Sequence, residues 1–167
     1  MGSLLAQGVL NGEPTHPLYL GLTENIPYLA KQQRLTFQRV GIINPLSIKD
    51  YIKHQGFKGL SKALALLAQG RQNIVDEIKI SGLRGRGGAA FPTGIKWQTV
   101  LDAKVSSSEQ KKYIVCNADE GDSGTFSDRL LMEADPFSLL EGMIIAGLAV
   151  GATQGYIYLR SEYPQAH

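Results

Sequence analysis

Two stretches of the chain hold residues whose types and spacing suit ligand chemistry. Residues 81–97, SGLRGRGGAAFPTGIKW, contain five glycines together with Arg84, Arg86 and Lys96. Glycine loses more backbone freedom on folding than any other residue, so such density needs a reason. The usual one is close approach of bare backbone N–H groups to a flat or anionic ligand, with cations nearby to balance its charge. The second stretch is acidic. Asn117, Asp119, Glu120 and Asp122 are interleaved with Gly121 and Gly124 directly after an apolar run. That acidic group also has the donor types for a divalent cation, although Asn117 and the glycine loop then stay unexplained.

Gly85-x-Gly87-x-x-Ala90 formally matches the dinucleotide fingerprint G-x-G-x-x-[GA]. That fingerprint needs a strand to aim the turn, and here residues 74–80 read as a helix. A Walker A loop fails as well, because no Gly-Lys-Ser/Thr closes the segment. A plain surface connector accounts for the glycines but not for the three cations around them.

The elements that must position these loops follow from caps and periodicity. Residues 1–46 read as an irregular N-terminal extension broken by prolines and glycines, with at most a helical turn or two within 28–37. A helical segment, 47–80, comes next. Ser47 is placed to cap a helix over 48–55, with Gly56 as its left-handed terminator. Ser61 and Gly70 bracket a second helix whose Leu64, Leu67 and Ala68 form an inward stripe. Asn73 with Asp76 resembles a capping box for a third, over 74–80, with Ile74, Val75 and Ile78 inward. Residues 81–167 then form the N-terminal part of an α/β domain. Pro92 suits the first turn of a helix through Leu101 that carries Lys96 and Trp97. The polar residues 103–112 read as a linker. Tyr113-Ile114-Val115-Cys116 predicts a strand buried on both faces, ending at the acidic loop, where parallel sheets bind ligands. Residues 127–133 predict a short helix. Asp135 caps a longer one with Pro136 at its start and Gly151 past its end. Its residues are apolar almost all round, and Gly142 and Gly147 leave room for a close neighbour. Residues 155–160 complete a βαβ crossover. Two strands do not close a core, so the parallel sheet is incomplete in this chain.

Bulk properties narrow the function. The 17 basic and 15 acidic residues leave a formal charge of +2, which gives no global case for nucleic acid or an anionic membrane. Cys116 alone cannot form an intrachain disulfide or ligate an iron–sulfur cluster. It reads as a buried core residue, and the three scattered histidines have no metal-site spacing. No run is long enough to span a bilayer, and no secretory leader is evident. These features favour a cytoplasmic protein, or one peripheral to the membrane within a larger complex. Met1-Gly2-Ser3 reads as a cloning remnant, and the chain as a piece of a longer protein.

The segments SGLRGRGGAAFPTGIKW, YIVCNADEGDSGTFSDR, DPFSLLEGMIIAG and GYIYLRSEYP resemble, in order and spacing, the family of flavin-bearing NADH-oxidising subunits. That family includes the 51 kDa subunit of respiratory complex I and the diaphorase-type subunits of NAD-dependent formate dehydrogenases and NAD-reducing hydrogenases. The likeness spans about 18–164, is strongest from residue 81, and in NADEGDSGTF and Ala89-Ala90 looks most like the formate dehydrogenase β subunit. It implies a non-standard flavin/NADH fold in which FMN carries the hydride and no side chain of the chain is itself catalytic. Gly85, Arg86, Gly87, Lys96, Asn117, Asp119 and Glu120 would hold FMN; Gly88, Phe91 and Asp122 would meet NADH. A cation near the flavin ring stabilises its reduced anion, and ring stacking sets the hydride donor at reacting distance.

Departures also show. Asp122 stands where respiratory members generally have glutamate, and Thr99 replaces an aromatic found in some of them. The rest of the flavin site and the cysteine-bound iron–sulfur domain have no counterpart here. The resemblance therefore implies part of an FMN-dependent NAD(H) oxidoreductase subunit that exchanges electrons with iron–sulfur clusters held elsewhere. Its partners would be the remainder of that subunit and the other subunits of an NAD-linked redox complex. A different class of reading is a catalytically silent binding or assembly module that folds against a companion chain.

Overall fold

The computed structural model describes Pro17 and residues 19–22, 25–104 and 111–167. The chain divides into two units, Met1–Gln38 and Arg39–His167. In the first, one short helix stands among the described residues, α1 (Pro27–Ala30), opened by its proline. The second unit carries the remaining elements.

Ser47 caps α2 (Ile48–Lys53) as its position suggests, its hydroxyl accepting the N–H of Asp50 at 3.2 Å. The turn after α2 differs from expectation. Gln55 and Phe57 take the left-handed conformation, at φ 70° and 62°, and Gly56 does not. Gly56 instead faces buried Tyr51, where a Cβ would overlap the ring. The next helix, α3 (Lys58–Leu67), starts before Ser61, whose hydroxyl donates to the Phe57 carbonyl at 2.9 Å inside the helix. Its N-terminus is capped from afar by Glu141, which accepts the N–H groups of Phe57 and Leu60, each at 2.8 Å. Ala63 points into the core and Leu67 packs against it as expected, but Leu64 is 50% exposed and Ala68 is exposed too. Residues 63–68 are all apolar, so their pattern alone fixes no face.

Next come α4 (Arg71–Ile80) and α5 (Thr93–Asp102). Gly70, at φ 123°, precedes α4 in place of the expected Asn73 cap, and Asn73 Nδ2 donates to its carbonyl at 3.2 Å. Ile74 and Val75 are buried as expected, and Ile78 is half-buried. The linker falls partly at 105–110, outside the described residues.

The α/β portion runs β1 (Tyr113–Ala118), α6 (Ser127–Ala134), α7 (Pro136–Val150) and β2 (Gln154–Leu159). β1 and β2 pair in parallel from Tyr113 opposite Gln154 to Ala118 opposite Leu159, the expected crossover. Gly151, at φ 82°, ends α7. Asp135 does not cap it with its side chain: the carboxylate is fully buried and accepts Arg39 Nε at 2.8 Å. Ala63, Ile74, Val75, Ala149 and Val150 form the main core, with Trp97, Leu101 and Ile114 against it.

The strand and the long helix are less enclosed than their composition suggests. β1 alternates, with Tyr113, Val115 and Asn117 exposed, instead of being buried on both faces. Along α7, Leu140 and Ile144 are exposed, and with Ile114, Met143, Gly155 and Ile157 they line an apolar groove of about 390 Å3. Gly147 does admit a close neighbour, the Ala152 carbonyl 3.4 Å from where a Cβ would lie, while nothing approaches Gly142. Among the described residues no helix is long and apolar enough to cross a membrane.

Candidate functional site: a glycine hairpin and an acidic loop

After α4 the chain reverses in a short hairpin. Thr93 N–H donates to the Leu83 carbonyl and Gly85 N–H to the Phe91 carbonyl, both at 2.9 Å, around an antiparallel bridge between Arg84 and Pro92. The tip is closed by Ala90 N–H on the Gly87 carbonyl at 3.0 Å and by Arg84 Nη1 on the Ala90 carbonyl at 3.1 Å. Ala90 sits at φ 44°, while Gly85, Gly87 and Gly88 all lie outside the left-handed region. A Cβ on Gly87 or Gly88 would meet nothing within 4 Å. Among the described residues, neither a left-handed backbone nor packing thus requires glycine at these two positions. Among the described residues the N–H groups of Arg86, Gly87, Gly88 and Ala89 have no hydrogen-bond partner, and all four residues are exposed.

The hairpin runs straight into α5, whose first residue follows Pro92 and has no side-chain cap. Lys96, one turn in, places Nζ 5.8 Å from the centroid of the Phe91 ring and 3.6 Å from where a Cβ on Gly85 would lie. Among the described residues Lys96 makes no ion pair. Packing against α4 fixes this helix. Gly94 is buried, and a Cβ there would come within 2.9 Å of the Lys79 backbone. A reciprocal amide pair, Gln72 with Gln98 at 2.7 and 3.0 Å, and Lys79 Nζ on Gln98 at 2.6 Å, tie the two helices together.

The acidic loop begins inside β1 and leaves it after Ala118. Asn117 Oδ1 accepts the N–H of Asp119 at 3.1 Å, and Asp119 then accepts that of Gly121 at 3.0 Å through its carbonyl. Asn117, Asp119 and Asp122 are exposed. Glu120 is not: it is 6% exposed, and its carboxylate is turned inward. Ser127 Oγ and Asp128 N–H donate to Oε1 at 3.0 and 2.8 Å, Arg129 N–H and Tyr163 Oη to Oε2 at 3.1 and 3.0 Å. Burial alone would push its pKa up, but the donated N–H and hydroxyl bonds outweigh it and hold the carboxyl below its ordinary value. In this structure the Glu120 side chain caps the start of α6. Arg160 braces the same loop by donating to the Glu120 carbonyl.

Asp122 borders a cavity of about 350 Å3 with Thr125, Phe126, Arg129, Arg160 and Tyr163. Among the described residues no hydrogen bond or ion pair joins the acidic loop to the glycine hairpin, and no group of three His, Cys, Asp or Glu comes together to hold a metal. Cys116 is half-buried; burial first, then the nearby Asp128 carboxylate, raise its thiol pKa, which suits a packing role. Sequence patterns did not single out Arg84 as a contact within the hairpin, nor Glu141 as the cap of α3. Glu141 leaves a signal in retrospect, as the one charged residue in the apolar run PFSLLEGMIIAGLAV.

Comparison with known proteins places the chain in a family. The chain is 51% identical over 136 residues to the NADP-reducing hydrogenase subunit HndC of Solidesulfovibrio fructosivorans, covering 81% of this chain and 26% of that protein. It is 45% identical over 121 residues to an NADH-quinone oxidoreductase subunit of Aquifex aeolicus, covering 72% and 26%. Among solved structures, a NAD+-reducing NiFe hydrogenase in the air-oxidised state superposes with a TM-score of 0.58 at 30% identity, over 81% of this chain and 21% of that one. The chain spans about a quarter of the length of these curated relatives. The family model for the Nuo51 FMN-binding domain matches residues 78–167, which takes in the hairpin, the acidic loop and the whole βαβ unit. On that match the chain belongs to the Nuo51 FMN-binding domain family.

Proposed function

We propose that this chain supplies the FMN-cradling part of a subunit that passes hydride between NAD(H) and FMN. The observation that carries the proposal is the hairpin tip. The N–H groups of four successive exposed residues, Arg86 to Ala89, lack partners among the described residues, none of which packs where side chains on Gly87 and Gly88 would lie. Such a tip fits an anionic ligand approaching from outside, and a phosphate beside Arg86 and the uncapped start of α5 would satisfy it. Gly85, Arg86 and Gly87 hold the phosphate end in this proposal, and Lys96 lends positive charge beside the ring system. Gly88 leaves the approach open. Phe91, already beneath the Lys96 ammonium, offers a stacking face to the nicotinamide nucleotide. Asn117 and Asp119 present exposed oxygens to ligand hydroxyls, and Asp122 presents one to the nucleotide. Glu120 acts as the brace of that loop. When bound, FMN supplies two-electron chemistry toward nicotinamide and one-electron chemistry toward iron–sulfur clusters. Those clusters, and the subunits of the surrounding redox complex, lie outside this chain.

The test uses the full-length subunit. Arg86→Ala with Lys96→Ala is expected to abolish flavin retention and NADH oxidation with an artificial acceptor. Stoichiometric FMN in the purified double variant would overturn the assignment. A second reading, a catalytically silent assembly module, draws on the uncovered apolar groove beside α7. A colourless, oligomeric full-length protein would favour it; a yellow one supports the flavin reading.

A further inference from the structure

The hairpin tip is held by two features that a ligand role does not explain. Ala90 adopts φ 44°, a conformation that side chains disfavour and that persists only when its surroundings impose it. The surroundings here are few: its N–H is bound to the Gly87 carbonyl at 3.0 Å, and its carbonyl is bound by Arg84 Nη1 at 3.1 Å. Arg84 thus reaches over the loop from its base to its far end. The two backbone rungs at 83–93 and 85–91 close the stem, but neither restrains residues 86–89. Without the guanidinium, the Ala90–Gly87 turn is the sole internal bond of the tip among the described residues.

We propose that Arg84 is a positioning residue, a latch that keeps Ala90 left-handed and so keeps the four amides of 86–89 outward and unpartnered before any ligand arrives. The latch rests on the flavin reading only for what the tip receives; its effect on the free loop stands alone. Preorganisation of this kind sets affinity through population. A tip that is competent about one-tenth of the time binds about tenfold more weakly, with no contact to the ligand removed.

Hydrogen exchange on the flavin-free, full-length subunit tests the latch first. In Arg84→Met the amides of Gly85 and Ala90 are expected to exchange about tenfold faster than in the wild type, the cost of one lost bond to a charged donor. Arg84→Lys, which keeps a donor, is expected to restore part of that protection. Ala90→Val, a branched residue forced to positive φ, is expected to match Arg84→Met, so the result does not depend on one variant. FMN titration follows, with Arg84→Met expected to bind about tenfold more weakly and with the same salt dependence as wild type. Unchanged exchange in both variants overturns the latch. So does weakened binding with a flattened salt dependence, which makes Arg84 a direct ligand of the anion. Faster exchange in the variants of a protein whose wild type never binds FMN supports the latch and removes the flavin reading instead.

Discussion

Glu120 accepts four hydrogen bonds on a carboxylate that is almost fully buried. The groups around it are Asp128, whose own carboxyl is raised by burial and then by the Glu120 charge, the hydroxyl of Tyr163, and Arg160 at its carbonyl. A carboxyl whose native pKa lies below its unfolded one stabilises the fold above the unfolded value and loses that contribution as pH falls through the native value. The Glu120 contribution is thus fully present at neutral pH and declines below about 4.5, its ordinary value. Asp128 works oppositely, its penalty vanishing on protonation. Thermal melts of wild type and Glu120→Gln across acid pH check this: the wild-type melting temperature is expected to fall more steeply, and the two curves to converge at low pH. Parallel curves would show that the cap does not depend on charge. Outside the core, Arg160 holds the carboxyl of exposed Glu162 at about 2, through the hydrogen bond first.

At the scale of elements, two helix junctions are set by glycines that face specific groups. Gly94→Ala is expected to push α5 off the Lys79 backbone and cost roughly 1–3 kcal/mol, as overpacking does. Since α5 carries Lys96, flavin affinity should fall with it; denaturant melts and FMN titration report the two effects separately. Gly59 is the counterpart under α3, where a Cβ would come within 2.9 Å of Glu141 Oε1. Glu141→Ala leaves the N–H groups of Phe57 and Leu60 and the hydroxyl of Tyr51 without their acceptor. A loss of roughly 3 kcal/mol is expected in denaturant unfolding, from one buried and two part-buried donors left unsatisfied. These junctions also show what the sequence could reveal. Local signals placed α2, the start of α5, the end of α7 and the parallel crossover, because Ser47, Pro92 and Gly151 act on their own neighbourhoods. Residues 81–97 were legible as a glycine-rich loop for the same reason, but their hairpin pairing was not. Gly56, the cap of α3 and the partner of Asp135 were not, since each is decided by a residue close only in space. The turn at Ala90 was hidden because alanine gives no sign of positive φ. The inward turn of the Glu120 side chain was hidden because spacing does not say which way a side chain points.

For the molecule as a whole, the sheet has two strands, and its Tyr113, Val115, Tyr156 and Tyr158 are exposed along with the α7 groove. An apolar face of this kind draws association. The chain expressed alone is expected to bind an environment-sensitive dye and to elute in sizing chromatography above its 18.1 kDa mass. Ile144→Lys, placed in the groove, is expected to lower both signals; an unaffected monomer would show the groove to be inert. The Arg39–Asp135 pair has another consequence. Its partners stand 96 residues apart, and Tyr51 and Glu141 are separated by 90. At ~5–20 residues/s of synthesis, Arg39 emerges roughly 5–20 s before the carboxylate that will bury it. During that interval α2 and α3 leave the ribosome without the helix that anchors them. Their exposed lysines, Lys49, Lys53, Lys58 and Lys62, are then the charges available to keep the nascent segment in solution.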